Sequence, residues 1–144
     1  MMLVTLVMYA AIYFGLTLLG NQFLSSMSVV LYLALIYLLP PLLNVLGITL
    51  RKNKTEKLSL SLILPLFSTL FYAALSWVTE KSGSWQAFVN HNTVSNQNLT
   101  VEIEANGFDP SQIIFMVLVY FGISLTAYYL STKKDKKQRG KQYA

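Results

Sequence analysis

The chain has 144 residues, of which 54% are hydrophobic and only 12% charged, with a formal net charge of +5 and no cysteine. A mean hydropathy of +0.50 and half the usual charged fraction of about 25% exclude an ordinary soluble domain, and the length leaves room for one small helical bundle. The lack of cysteine excludes a disulfide framework, a thiolate metal site and a cysteine nucleophile, and leaves the redox compartment open.

Apolar runs occupy residues 1–19, 24–50, 58–79 and 111–130, and none contains Asp, Glu, Lys, Arg or His. Each is near the ~20 residues that cross a hydrocarbon core of ~30 Å. Lipid offers backbone amides no partner, so such runs form helices, and their continuous rather than alternating apolar pattern excludes a β-barrel. The predicted fold is an all-α membrane protein with four transmembrane helices. A transmembrane domain at 1–132, with a long outer loop at 80–110 between the third and fourth helices, precedes a basic cytoplasmic tail at 133–144.

The first run reads as an uncleaved helix, since no Lys or Arg precedes it and its apolar core exceeds a secretory h-region. Thr5, Tyr9, Tyr13 and Thr17 recur every four residues, which puts four hydroxyls on one face. Ser68, Tyr72 and Ser76 repeat the pattern in the third run, and Tyr120, Ser124 and Tyr128 in the fourth. In lipid these rows belong against neighbouring helices, where each can bond for roughly 0.6–2 kcal/mol. A proton or ion path is the sharper alternative, but such paths enlist an ionisable group and the runs have none.

The second run, 27 residues long, would measure about 40 Å as a straight helix and must tilt or bend. Its "LLPPLLN" supplies the bend, because Pro40 and Pro41 remove two amide donors and crowd the preceding turn. Pro65 lies at a similar depth in the third run, so a paired bend is expected. It is read either as kinked packing or as a substrate notch of the kind broken helices line. Asn44, the carboxamide well inside a run, joins the hydroxyl rows.

Arg51, Lys52, Lys54 and Lys57 separate the second and third runs, Lys81 follows the third, and Lys133, Lys134, Lys136, Lys137, Arg139 and Lys141 lie in the tail. Lysine and arginine in short flanking segments mark the cytoplasmic side, so the basic loop, the tail and both termini are expected there. The loop at 80–110 carries Glu80, Glu102, Glu104 and Asp109 and is expected outside. Trp85, Phe88 and Val89, with Trp77, look like an interfacial anchor. "NLTVEIEA" alternates as a short strand, with Leu99, Val101 and Ile103 on one face and Thr100, Glu102 and Glu104 on the other. The acids could form an oxygen-rich cation site but match no dedicated calcium loop, and His91 has no second ligand near it. Neither a cofactor nor a metal site is expected.

"NGFDPSQII", residues 106–114, reads as helix punctuation. Asn106-Gly107 is a turn signal, Asp109 an N-cap and Pro110 a first helical residue whose missing amide costs nothing. Gln112 stands where a capping box needs it, and Phe108 and Ile113 can form a hydrophobic staple. With a tyrosine in mid-helix, a Tyr128-Tyr129-Leu130 ending and a lysine-rich tail, residues 107–137 resemble the close of the staphylococcal Msa family, small membrane proteins named as modulators of the accessory regulator SarA. The chain departs from that family in its Pro40-Pro41 pair and its loop. The resemblance implies a bacterial cytoplasmic-membrane protein that affects regulator expression or signalling, and it brings no catalytic residues.

No phosphate-cradling glycine loop, HExxH or partnered histidine points to an enzyme. The expected function is therefore a non-enzymatic accessory or regulatory role exerted through protein or lipid contacts. The alternatives are a holin-like pore-former and an immunity protein that meets a membrane-active peptide. Beyond the bilayer, the expected partners are anionic headgroups at the tail and a membrane or cytoplasmic protein. Nucleic acid is not expected, because Tyr143 is the tail's one aromatic and the tail lies beside an anionic membrane.

Overall fold

In a computed structural model, which describes residues 2–96, 99–101, 104 and 106–142, the chain is an all-α membrane protein. Four helical stretches are long and apolar enough to cross a bilayer: Met2–Ser26, Val29–Thr49, Lys54–Ser82 and Pro110–Gln138. The first comprises α1 (Met2–Phe23) and a 3₁₀ turn, Leu24–Ser26. The second comprises α2 (Val29–Leu33), a π turn (Ala34–Leu38) and α3 (Leu39–Thr49). The third is α4 (Lys54–Ser82), and α5 (Ser84–Asn92) follows it. A small antiparallel hairpin, β1 (Val94–Asn96) and β2 (Leu99–Val101), pairs Val94 with Val101 and leads to α6 (Pro110–Gln142).

α4 packs against α1, α3 and α6, and α3 also meets α6. The central helix accordingly has the most buried apolar window, 44% against 17–28% for the others. Leu3, Val4, Phe14, Val30, Leu70, Leu118 and their like point outward, as expected where the solvent is lipid and apolar surface has no reason to hide.

The hydroxyl rows turn inward. Tyr9, Tyr13 and Thr17, then Ser68, Tyr72 and Ser76, then Tyr120 and Ser124 are buried. Small residues let the helices close on them. A side chain at Gly47 would meet the Tyr9 hydroxyl at 2.5 Å and Leu64 at 2.8 Å, so glycine there admits Tyr9, whose hydroxyl donates to the Leu43 carbonyl at 2.5 Å.

The expected proline bend takes a specific form. The backbone widens to a π turn just before Pro40, with the Leu39 amide reaching back to the Ala34 carbonyl. Pro40 has no amide to offer Ile36 four residues earlier, and the Tyr120 hydroxyl donates to that carbonyl at 2.6 Å. Pro65 sits buried inside α4, which runs unbroken through it. Near these prolines in the chain, Asn44, Leu64 and Ser68 are buried, as is Tyr13, which Ser68 contacts, and an apolar hollow of about 310 Å³ lies on the outer side of the bend against Ala34, Leu38 and Leu39.

Two boundaries and the burial of one aromatic group differ from expectation. The segment expected as a loop at 80–110 is largely ordered, because α4 continues to Ser82 and Gly83, at φ 79°, turns the chain directly into α5. The tail expected to begin at 133 is the last part of α6, which continues to Gln142, since Lys, Gln and Arg are good helix formers once outside lipid. Trp85, Phe88 and Val89 are buried rather than anchored in headgroups. The Tyr32, Trp85 and Phe88 rings lie 5.1–5.4 Å apart between centroids, while Trp77 alone of the expected anchor is exposed.

Candidate functional site

The two ends of the bundle differ in chemistry. At one end α5 lies over the helices: the Asn92 amide donates to the Met27 carbonyl at 2.9 Å, and the Ser82 hydroxyl to Asn21 at 2.7 Å. The punctuation residues lock onto this cap. Gly107 is buried against the Trp85 ring, where an added Cβ would come within 2.7 Å, and the Trp85 indole donates to the Glu104 carbonyl at 3.2 Å. Phe108 is exposed. Asp109 accepts from the Ser111 amide at 2.9 Å and the Ser111 hydroxyl at 2.6 Å, and Pro110 opens α6. The Ser111 hydroxyl and then its amide hold the Asp109 carboxyl below its ordinary range.

Gln112 does not close the capping box. Its carbonyl oxygen accepts from the Tyr72 hydroxyl at 2.8 Å, because a buried phenol in lipid has no water to turn to. Of the expected acidic cluster, Glu102 lies outside the described residues, as does Ile103, and the Asp109 oxygens are engaged by Ser111. No group of three metal-ligating side chains occurs among the described residues, and His91 stands exposed in the last turn of α5.

The other end is cationic. Arg51 donates to Thr5 on α1, and Lys57 in the first turns of α4 reaches Asp135 on α6 at 2.6 Å. These two contacts bring the start of α1, the basic loop and the end of α6 to the same end of the bundle. The Lys57 side chain is only 3% exposed, whereas Asp135 is 45% exposed. A lysine that deep needs a partner, since leaving it charged and alone would cost several kcal/mol (about 3–5 for a fully buried pair). Lys52, Lys54, Lys134 and Lys136 line hollows that Asp135 also lines, and Lys133, Lys137 and Lys141 on the same stretch of α6 are exposed. The Arg139 side chain and Tyr143 are outside the described residues.

Asp135 was not singled out by reading the sequence, although the signal was there. It is the one acid in "KKDKKQRGK", and an isolated opposite charge in a basic run is a candidate ion-pair partner. What the chain alone lacks is the partner's identity, 78 residues away. No protein-family model, curated protein or solved structure matches the chain.

Proposed function

We propose that the chain is a non-enzymatic regulatory or accessory protein of a bacterial cytoplasmic membrane, with both termini cytoplasmic and its cationic end as the working surface. The observation that carries this reading is the Lys57–Asp135 pair, which fixes the basic end of α6 against the basic loop and makes one surface of two distant charge clusters. Such a surface suits an acidic segment of a soluble or membrane protein, or the anionic face of the inner leaflet at about 1 kcal/mol per basic residue. The lysine distribution supports the orientation. The resemblance of residues 107–137 to the Msa family supports an effect on expression or signalling of a regulator.

Removal of residues 136–144, which keeps Asp135, tests the role. The expected result is loss of the effect on transcript levels of the host's regulators, with the shortened protein still accumulating in the membrane. Persistence of that effect, or rapid dye-reported depolarisation that survives the deletion, would replace this reading with the pore-forming one. Orientation is tested separately by single cysteines, since the chain has none of its own. Those placed at Lys54 and Lys136 should resist an impermeant thiol reagent in intact cells, and one at the exposed Ala87 should react.

A further inference from the structure

A groove runs between α3 and α6 toward the cationic end. Its deeper reach, about 290 Å³, is apolar and is lined by Val45, Gly122, Ile123 and Leu130 among others. Gly122 opens it, for a Cβ there would meet nothing within 4 Å. Val45, Ala127 and Leu130 continue into a second reach of about 410 Å³, where Lys57, Lys134, Asp135 and Gln138 join the wall. That reach opens in turn on a cleft of about 510 Å³ that shares Lys57, Asp135 and Gln138 and adds Arg51 and Lys52.

Over the two polar reaches there are four cations, Arg51, Lys52, Lys57 and Lys134, and one carboxylate, Asp135. The carboxylate is already bonded to Lys57. The hydroxyls present, Thr49 and Ser131, donate to the carbonyls of Val45 and Tyr128, so the groups left to hold an anion are Lys52, Lys134, the Gln138 amide and the Arg51 Nε, which is buried without a partner while its Nη2 donates to Thr5.

We propose that this groove is a binding site for one anionic phospholipid, with an acyl chain along Val45, Gly122 and Leu130 and its phosphate between Lys52 and Lys134. The occupant follows from the sequence of surfaces. A free anion has no use for the apolar reach, and a soluble acidic peptide would have to enter the level of the spanning helices to fill it. An amphiphile whose charge lies one headgroup away from its hydrocarbon matches both reaches at once, and the surrounding bilayer supplies it. The site does not depend on the regulatory reading, which concerns what the cationic end does rather than what lies beside α3.

The test is native mass spectrometry of the intact protein released from detergent, with dioleoyl phosphatidylglycerol, dioleoyl phosphatidylcholine and inorganic phosphate as separate probes, and melting temperature as a second readout. The expected result is one retained phosphatidylglycerol per chain, a raised melting temperature with that lipid, and neither effect with the zwitterionic lipid or with phosphate. K52Q/K134Q should weaken retention by about 30-fold. Gly122→Leu, which fills the apolar reach without changing charge, should abolish one-to-one retention while its melting temperature in phosphatidylcholine stays near that of the parent. Should Gly122→Leu unfold instead, Thr126→Leu in the same reach takes its place.

K137Q/K141Q removes the same charge from positions outside the groove and should leave retention intact. Equal losses from the two lysine pairs, or retention unaffected by filling the apolar reach, would mean adsorption to the basic helix and overturn the site. Stabilisation by phosphate alone would make it a simple anion site and overturn the lipid.

Discussion

At the residue scale, the interior is organised around Ser68. Its oxygen lies 2.9 Å from the Tyr13 hydroxyl and 2.9 Å from the Asn44 amide nitrogen, with the Asn44 carbonyl oxygen at 3.1 Å and the Leu64 carbonyl at 3.1 Å. One hydroxyl thus joins α1, α3 and α4 where none of the three can borrow water. Tyr13→Phe should cost about 0.6–1.7 kcal/mol in detergent unfolding. Ser68→Ala should cost more, because it strands the Asn44 amide as well, and the double variant should fall short of the sum. Additive losses would show that the three side chains are independent. Asp109 gives a residue-scale prediction in pH. Its folded carboxyl titrates below the ordinary aspartate range, so its contribution is complete above that range and disappears as pH falls through the folded value. Stability measured across acid pH should show this loss for the parent and not for Asp109→Asn, whereas Asp109→Ala should already be weaker at neutral pH. If Asp109→Asn retains the acid-dependent loss, the titrating group lies elsewhere.

At the element scale, the informative joint is the one between the π turn and α3. Pro40 leaves the Ile36 carbonyl without an amide, and Tyr120, 84 residues away, supplies the proton. Pro40→Ala restores an amide that can take up that carbonyl. Tyr120→Phe should therefore cost about 1 kcal/mol in the parent and clearly less beside Pro40→Ala, a coupling of order 0.5–1 kcal/mol in a double-mutant cycle. An additive cycle would mean that the phenol does not replace the missing amide. This joint also shows what was legible in the sequence. The presence of a bend at Pro40-Pro41 could be read locally, because proline acts on its own helix. The group that satisfies the bend could not, because it arrives from another helix. The four spans were legible for a related reason, since lipid imposes the same demand along every residue of a run. Their ends were not, because outside lipid the chain is free to extend a helix through charged residues, as α6 does through "KKDKKQRGKQ". The placement of Trp85 and Phe88 was not legible, because an aromatic pair suits a membrane interface and a protein interior equally, and the approach of Tyr32 to both rings and of Gly107 to Trp85 decides for the interior.

At the scale of the whole molecule, the Lys57–Asp135 pair connects the first turns of α4 to the far part of α6 and so ties the chain's middle to its end. Asp135→Asn leaves a buried ammonium without its counter-charge. The cost should be roughly 1–3 kcal/mol, below that of a fully enclosed pair because Asp135 retains access to water. Lys57→Met combined with Asp135→Asn should recover most of the loss, since a neutral side chain of similar length needs no counter-charge there. Thermal unfolding of the three variants in one detergent checks both statements. A double variant no better than Asp135→Asn would mean that Lys57 matters for its own hydrogen bonding rather than for its charge.

Because α6 has 33 residues in one uninterrupted helix, it is about 50 Å long at ~1.5 Å per residue, well beyond the ~30 Å hydrocarbon core. The part that emerges is a rod rather than a loose tether, because Lys57 on α4 clasps Asp135 beyond the contact of Tyr120 with the Ile36 carbonyl. From Tyr120 to Gln142 that rod is roughly 33 Å long. At the opposite end of α6 sit Asp109 and, against Trp85, Gly107. The aromatic cap and the lysines are therefore at the two ends of one continuous helix, with no break along α6 between them.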